Sequence, residues 1–169
     1  GKEVAAMYGT PGLSLFGTAG FGPVRGQYFT AGGRAFSVSS NVLYEVNSDG
    51  SVVSRGLLNS FLGAVSIEEN GFQLGVCDGT DFYIFTFATD AFAQVTDLNL
   101  PSPAATVTFI DGYFVINKGG TGEFYISGLY DGTSWAALDF ATAESSPDEL
   151  KRVMNAVGVL WLLGTKTAE

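Results

Sequence analysis

VTFIDG–YFVIN, residues 107–117, sets two apolar runs on either side of an Asp-Gly pair. Asp-Gly supplies the positive-φ positions of a tight hairpin turn, so the stretch reads as two antiparallel strands. The design recurs in QYFTAGG–RAFSV (27–38), VSIEENG–FQLGV (65–76) and RVMNAVG–VLWLL (152–163). The turn glycines are Gly33, Gly71, Gly112 and Gly158, spaced by 38, 41 and 46 residues. A fixed period of this size is the signature of a repeat architecture.

A third element holds the register. Tyr44 lies 11 residues after Gly33, Tyr83 lies 12 after Gly71 and Tyr125 lies 13 after Gly112, in the contexts NVLYEV, TDFYIF and GEFYIS. A fourth run closes the first two units, SVVSRGLL after the turn NSDG and FAQVTDL after ATDA. Four antiparallel strands per unit of about 40–45 residues is the period of a β-propeller blade. FYIFTF and YFVIN do not alternate between apolar and polar. A sheet with one wet face alternates, whereas a sheet covered on both faces need not.

The expected fold is therefore all-β: a β-propeller-like fragment of about three and a half four-stranded antiparallel blades. The blades are expected at about 23–58, 63–98, 104–140 and 150–169, the last incomplete, after an N-terminal segment 1–22. Within the third unit, Ala136 to Ala143 reads as a loop or short helical turn. In SSPDEL, Ser146 as N-cap and Pro147 at the first position suit a helical turn. The chain is expected to hold at most about two turns of helix. The third strand of the last unit should fall at 169–171, so the sequence reads as a piece of a longer protein.

Composition agrees. Aromatics make up 14% of the 169 residues and charged residues only 15%, with 23 Gly. Charge-poor, Gly-rich and aromatic-rich chains suit short strands and tight turns, not coiled coils or disorder. There is no His and a single Cys77, which removes His-dependent catalytic triads, His-ligated metals and an internal disulfide. Cys77 lies in FQLGVCD and reads as a buried thiol. No apolar stretch reaches transmembrane length, and GKEVAAMYGTPG lacks a signal-peptide core.

The formal net charge is −9. The basic residues Lys2, Arg25, Arg34, Arg55, Lys118, Lys151, Arg152 and Lys166 are scattered, which argues against direct nucleic-acid binding, since phosphate neutralisation needs clustered cations. No candidate chemistry stands out. YDGTSW (130–135) sets Asp131 and Gly132 side by side, one residue off the Asp-box spacing, and reads as a structural turn. Asp78 and Asp81 in CDGTD lack the further oxygen ligands of a calcium loop. A glycosidase needs two converging carboxylates, but Glu68, Glu69, Asp78, Asp111 and Asp131 all sit in or beside turn sequences. GGTG (119–122) has no Lys and no following helix for a phosphate loop. The expectation is no enzyme activity, no catalytic or metal-site residue and no cofactor.

Seven phrases, in order and spacing, carry a resemblance: YGTPGLSLF (8–16), GPVRG (22–26), LYEVNSDG (43–50), VTFIDGYFVIN (107–117), FYISGLYDGTSWAALDFATAE (124–144), SPDEL (146–150) and LWLLG (160–164). Together they resemble the packaged-DNA stabilisation proteins, or tail accessory factors, of short-tailed bacteriophages. The resemblance implies a virion structural protein, assembled in the host cytoplasm into the tail. Such a protein extends and seals the portal-proximal tail and helps retain DNA in the capsid. It implies portal-adaptor and tail-needle proteins as partners, and no membrane. Members of that family are much longer, and the family has no active-site motif to carry over. The alternative reading from the residues is a non-enzymatic β-propeller interaction or carbohydrate-binding module.

Three and a half blades leave apolar faces and a strand edge open, and such edges recruit other chains. LSLFGTA (13–19) is one candidate to add a strand to VLWLLG. Two copies joined end to end, giving about seven blades around a two-fold axis, are the other, so a dimer or higher assembly is expected.

Overall fold

The computed structural model describes residues 12–143 and 148–169. It contains fourteen strands and no helix among those residues. The first blade is β1 (Val24–Phe29), β2 (Ala35–Ser39), β3 (Val42–Val46) and β4 (Val52–Leu57). The second is β5 (Ser66–Glu69), β6 (Gln73–Cys77), β7 (Phe82–Thr86) and β8 (Ala91–Gln94). The third is β9 (Ala104–Ile110), β10 (Tyr113–Lys118), β11 (Glu123–Gly128) and β12 (Asp131–Thr142). The fourth has β13 (Leu150–Ala156) and β14 (Val159–Gly164). Every pairing is antiparallel and each sheet runs in chain order. First strands lie against first strands: β1 meets β5, β5 meets β9 and β9 meets β13. The sheets thus form an open, propeller-like series with its first strands on the inside.

The turns follow from the sequence. At Asp111-Gly112 both residues have positive φ (51° and 91°), as at Val157-Gly158 (55° and 72°). This is the mirror-image turn whose twist matches the flanking strands.

Runs that do not alternate feed two cores at once. In β7, Tyr83 and Phe85 enter the core between blades one and two, with Phe36, Val38, Leu43, Leu74 and Val76. Phe82 and Ile84 point the other way, into the core between blades two and three, with Cys77, Phe114, Ile116 and Trp135. In β10, Val115 turns instead to the third core, with Leu150, Val153 and Leu162. Successive side chains of a strand point to opposite faces, so a strand covered on both sides must be apolar throughout.

Polar ties join neighbouring blades along the inside. The Tyr28 hydroxyl donates to Glu68 (2.7 Å). Ser66 Oγ donates to the Val107 carbonyl (3.1 Å) and accepts from the Val107 N–H (3.2 Å). The N–H groups of Val153 and Asn155 donate to the hydroxyls of Thr106 (3.0 Å) and Thr108 (2.9 Å). Fully buried Asn117 accepts from Thr106 and donates to the Leu150 carbonyl (3.0 Å). Hydroxyls of one inner strand thus cap the free backbone edge of the next.

The stretch from Ala136 to Ala143 corrects the sequence reading. It is no helical turn, because β12 runs through to Thr142 and pairs with β11, with Tyr125 opposite Phe140 and Phe124 opposite Ala141. Register shifts absorb the extra residues between Trp135 and Phe140, as bulges do. The Phe140 ring stacks on Tyr125 at 5.4 Å and resumes the strand. Ser146 and Pro147 lie outside the described residues. In the fourth blade, Ala168 bridges Leu163, and Leu162 exchanges both backbone bonds with Glu169 (2.9 Å each), so a third strand begins at the end of the chain. Residues 13–19 carry no strand. They run beside the first blade, where Gly17 abuts Gly50, and Gly20, the next residue after them, abuts Ser39 and Tyr44.

Candidate functional site

The carboxylates singled out in the sequence serve the turns. Asp78 accepts from the N–H groups of Thr80 (3.0 Å), Asp81 (2.8 Å) and Ser60 (3.3 Å). Burial pushes its pKa upward, but these donors and the Ser60 hydroxyl outweigh burial and hold it below the usual range. Asp131 accepts from the N–H (2.9 Å) and hydroxyl (2.6 Å) of Thr133, which likewise overcome its burial. Asp78 and Asp81 do converge, on the Tyr83 hydroxyl (3.3 and 3.4 Å), whose pKa is pushed up to about 12, first by burial. Asp111 is exposed at its turn, at the opposite end of the blades from Asp78. GGTG forms the β10–β11 turn, where Thr121 Oγ1 donates to the Lys118 carbonyl (3.0 Å). Among the described residues no group of three or more His, Cys, Asp or Glu could hold a metal ion.

Glu68 is different. It sits on inner strand β5 between the first two blades, where burial raises its pKa despite the Tyr28 hydrogen bond. A carboxyl whose folded pKa lies above its unfolded value favours the protonated fold. The penalty is absent below the unfolded value of about 4.3 and complete above the folded one. Glu68→Gln keeps an acceptor for Tyr28 and cannot ionise. It is expected to raise the melting temperature at neutral pH, with the gain vanishing below about pH 4. Thermal melts across pH check this, and a gain that persists at low pH would contradict it. Glu69, next in the strand, accepts from the Ala31 N–H (2.5 Å).

Cys77 is 0% exposed. Burial first, then the nearby Asp78 charge, drives its thiol well above the usual range. A thiol-specific reagent should leave the folded chain unmodified and label it fully once unfolded. Fast labelling of the native chain would mean that blades two and three separate readily.

Five of the scattered basic residues, Arg25, Arg34, Arg55, Lys118 and Lys151, have assigned partners. Arg25 on β1, 9% exposed, places all its nitrogens on neutral oxygens: the carbonyls of Ser40, Ser60, Leu62 and Gly63 and the Ser60 hydroxyl, at 2.7–2.8 Å. It thereby shapes the 58–65 connection. Arg34 grips Glu45 with two bonds of 2.7 Å, and Arg55 shares Glu45. Asp90 closes the cluster on Arg34 (2.8 Å) and Arg55 (3.1 Å). The Arg34 guanidinium also lies over the rings of Phe36, Phe85 and Phe87 at 5.1–5.6 Å. Lys118 pairs with Glu123 and Lys151 with Glu149. The described cations form no patch that could track a phosphate backbone.

The surface that sequence reading missed lies on the hairpin-turn side. Asn70 donates to the Tyr130 carbonyl (3.1 Å) and Gly132 N–H donates to Gln73 (2.8 Å), locking the β5–β6 turn to the β11–β12 turn. Phe72, 66% exposed, meets Tyr130 edge-on at 6.1 Å. Two cavities of about 400 and 390 Å³ adjoin there, sharing Gly71 and Phe87. The signal available was faint: Tyr130 occupies a positive-φ turn position (53°) normally given to Gly, Asn or Asp. A second apolar surface is the open face of blade four, where Val159 and Trp161 remain exposed.

Comparison with known proteins identifies these features with a known group. Residues 2–169 match the family model described as bacteriophage P22 Gp10, β-propeller. No curated protein sequence matches. Among solved structures the chain is similar to one in the crystal structure of the mitotic checkpoint complex (TM-score 0.58, 12% identity, 80% of this chain and 43% of that one). It is also similar to Myxococcus xanthus glutaminyl cyclase (TM-score 0.53, 13% identity, 85% and 62%). The Neurospora crassa Pan2 WD40 domain is a third such structure (TM-score 0.51, 11% identity, 87% and 51%). At this identity the likeness concerns the fold alone. The chain spans between 43% and 62% of the length of these structures.

Proposed function

Because the chain belongs to the family of bacteriophage P22 Gp10, β-propeller proteins that stabilise packaged phage DNA, we propose that it is a structural component of the phage tail hub. In this reading it extends and seals the portal-proximal tail and so keeps the genome in the capsid. Its partners are the portal-adaptor and tail-needle proteins, it acts in the virion tail after assembly in the host cytoplasm, and it performs no catalysis. The observation that carries the reading is the family match over residues 2–169. Two features support it. The Asp78 and Asp131 carboxylates are committed to backbone donors of their turns, which suits a structural part. The open apolar face of the last blade, with Val159 and Trp161 exposed, suits assembly with further blades or a second copy.

Retention by plugging makes no use of DNA affinity, which agrees with a net charge of −9 and the lack of a cationic patch among the described residues. DNA-filled heads of the parent phage made without this protein should lose their genome to nuclease, and adding the protein with the portal adaptor should restore protection. In a mobility-shift assay at about 100 mM salt, duplex DNA should show no complex. Protection that fails to return, or sub-micromolar binding to naked duplex, would overturn the proposal.

A further inference from the structure

Two hairpin turns on the same side of the blades break the local rule. Val157 (φ 55°) and Tyr130 (φ 53°) stand in the left-handed region, which costs a side chain with a branched or aromatic Cβ about 1 kcal/mol or more. The chain uses Asp at the matching positions, 111 for Val157 and 90 for Tyr130, so the inexpensive choice exists within the same fold. Burial does not recover the cost, since Val157 is 102% exposed and Tyr130 half exposed. Phe72, Leu129 and Tyr130 all stand exposed on this side. Apolar side chains held out at strained positions mark a surface kept for contact, not for the core.

The surface is preformed. The Asn70 and Gln73 hydrogen bonds fix the two turns against each other, and the cavity of about 390 Å³ beside the Phe72 and Tyr130 rings continues past Gly71 and Phe87 into the one against the β1–β2 turn. Its surroundings are acidic. Glu69 lines the cavity against the β1–β2 turn, and Asp111 and Asp131 stand at neighbouring turns. Arg34 and Arg55, the nearby cations, are already taken by Glu45 and Asp90.

We propose that this groove holds an extended segment of a partner protein that carries an apolar or aromatic anchor beside lysine or arginine. The anchor fills the space between Phe72, Phe87 and Tyr130, and the basic neighbour meets the acidic rim. A second copy of this chain fits the rim poorly, because it brings 17 acidic and only 8 basic residues. The inference concerns how a protein partner is gripped and stands whichever virion role the chain fills.

The test is selection of short random peptides, by ribosome display, against the chain and against the Phe72→Ser/Tyr130→Ser double variant. Enriched peptides should pair one apolar anchor with lysine or arginine, and should bind the double variant about tenfold or more weakly. A second variant, Glu69→Gln/Asp111→Asn, leaves the apolar floor intact and keeps a turn-compatible residue at 111. It should weaken the same peptides and flatten their salt dependence. Four results would overturn the proposal: no enrichment, peptides with acidic flanks, binding indifferent to both variants, or a dimer of the chain alone that the double variant dissolves.

Discussion

Arg25→Ala is expected to cost about 3 kcal/mol or more of folding stability. The guanidinium supplies what a short surface connection lacks, donors for carbonyls that point inward. Without it the carbonyls of Ser40, Ser60, Leu62 and Gly63 lose the one charged group that gathers them. Lysine is a poor substitute, because three donors on one nitrogen cannot span what a planar fork reaches. Arg25→Lys should therefore lie much nearer to alanine than to the native protein in urea unfolding. The connection should also loosen, so that a protease such as chymotrypsin cuts at the exposed Phe61 and Leu62 before the rest of the chain and faster than in the native protein. A loss below about 1 kcal/mol for alanine would mean that water replaces the guanidinium.

Trp135→Ala is expected to cost about 3–5 kcal/mol, lowering the melting temperature by about 10 °C. Trp135 is 4% exposed and stands edge-on to Phe82 at 5.9 Å, in the core between blades two and three. Its indole N–H donates to the Gly132 carbonyl (2.9 Å). Its backbone ties the connection after β8, through Asp97 (3.1 Å) and Asn99 (2.9 Å). Truncation leaves a cavity lined by aromatic rings that hold one another in place and cannot collapse into it. Trp135→Phe keeps the bulk and gives up the indole hydrogen bond, so it should cost only about 1–2 kcal/mol. Calorimetry on both variants separates packing from hydrogen bonding, and equal losses would assign the effect to the hydrogen bond alone.

The repeat was legible because its signals are local. Asp111-Gly112 names its own turn, and the unbroken apolar run of β7 reports that both faces of its sheet are covered. β12 was misread because an outermost strand needs no buried face. Residues 136–142 are exposed, so neither period 2 nor period 3.6 is imposed on them, and the bulges erase what alternation remains. The blade ties were illegible for another reason. Thr106 and Val153 are 47 residues apart, and Arg25 reaches oxygens 15 to 38 residues away. Nothing in a hydroxyl or a lone arginine states which distant backbone it will meet. The hairpin-turn surface left one trace, an aromatic and a valine where a turn favours asparagine, aspartate or glycine. The other requirement, that Asn70 and Gln73 clasp the turn of the next blade, exists only once the sheets are stacked.

The hydroxyl caps on the inner strands also bear on how the protein is born. Each of Ser66, Thr106 and Thr108 reaches from one blade to the blade made next, so no tie described here waits for a distant part of the chain. The first sheet can close as it leaves the ribosome. It then offers the next arriving strand an apolar face to lie on and, from the second sheet onward, hydroxyls to match its edge. Growth of this kind runs from the N-terminus in steps of one blade, and the surface most open to aggregation is always that of the newest sheet.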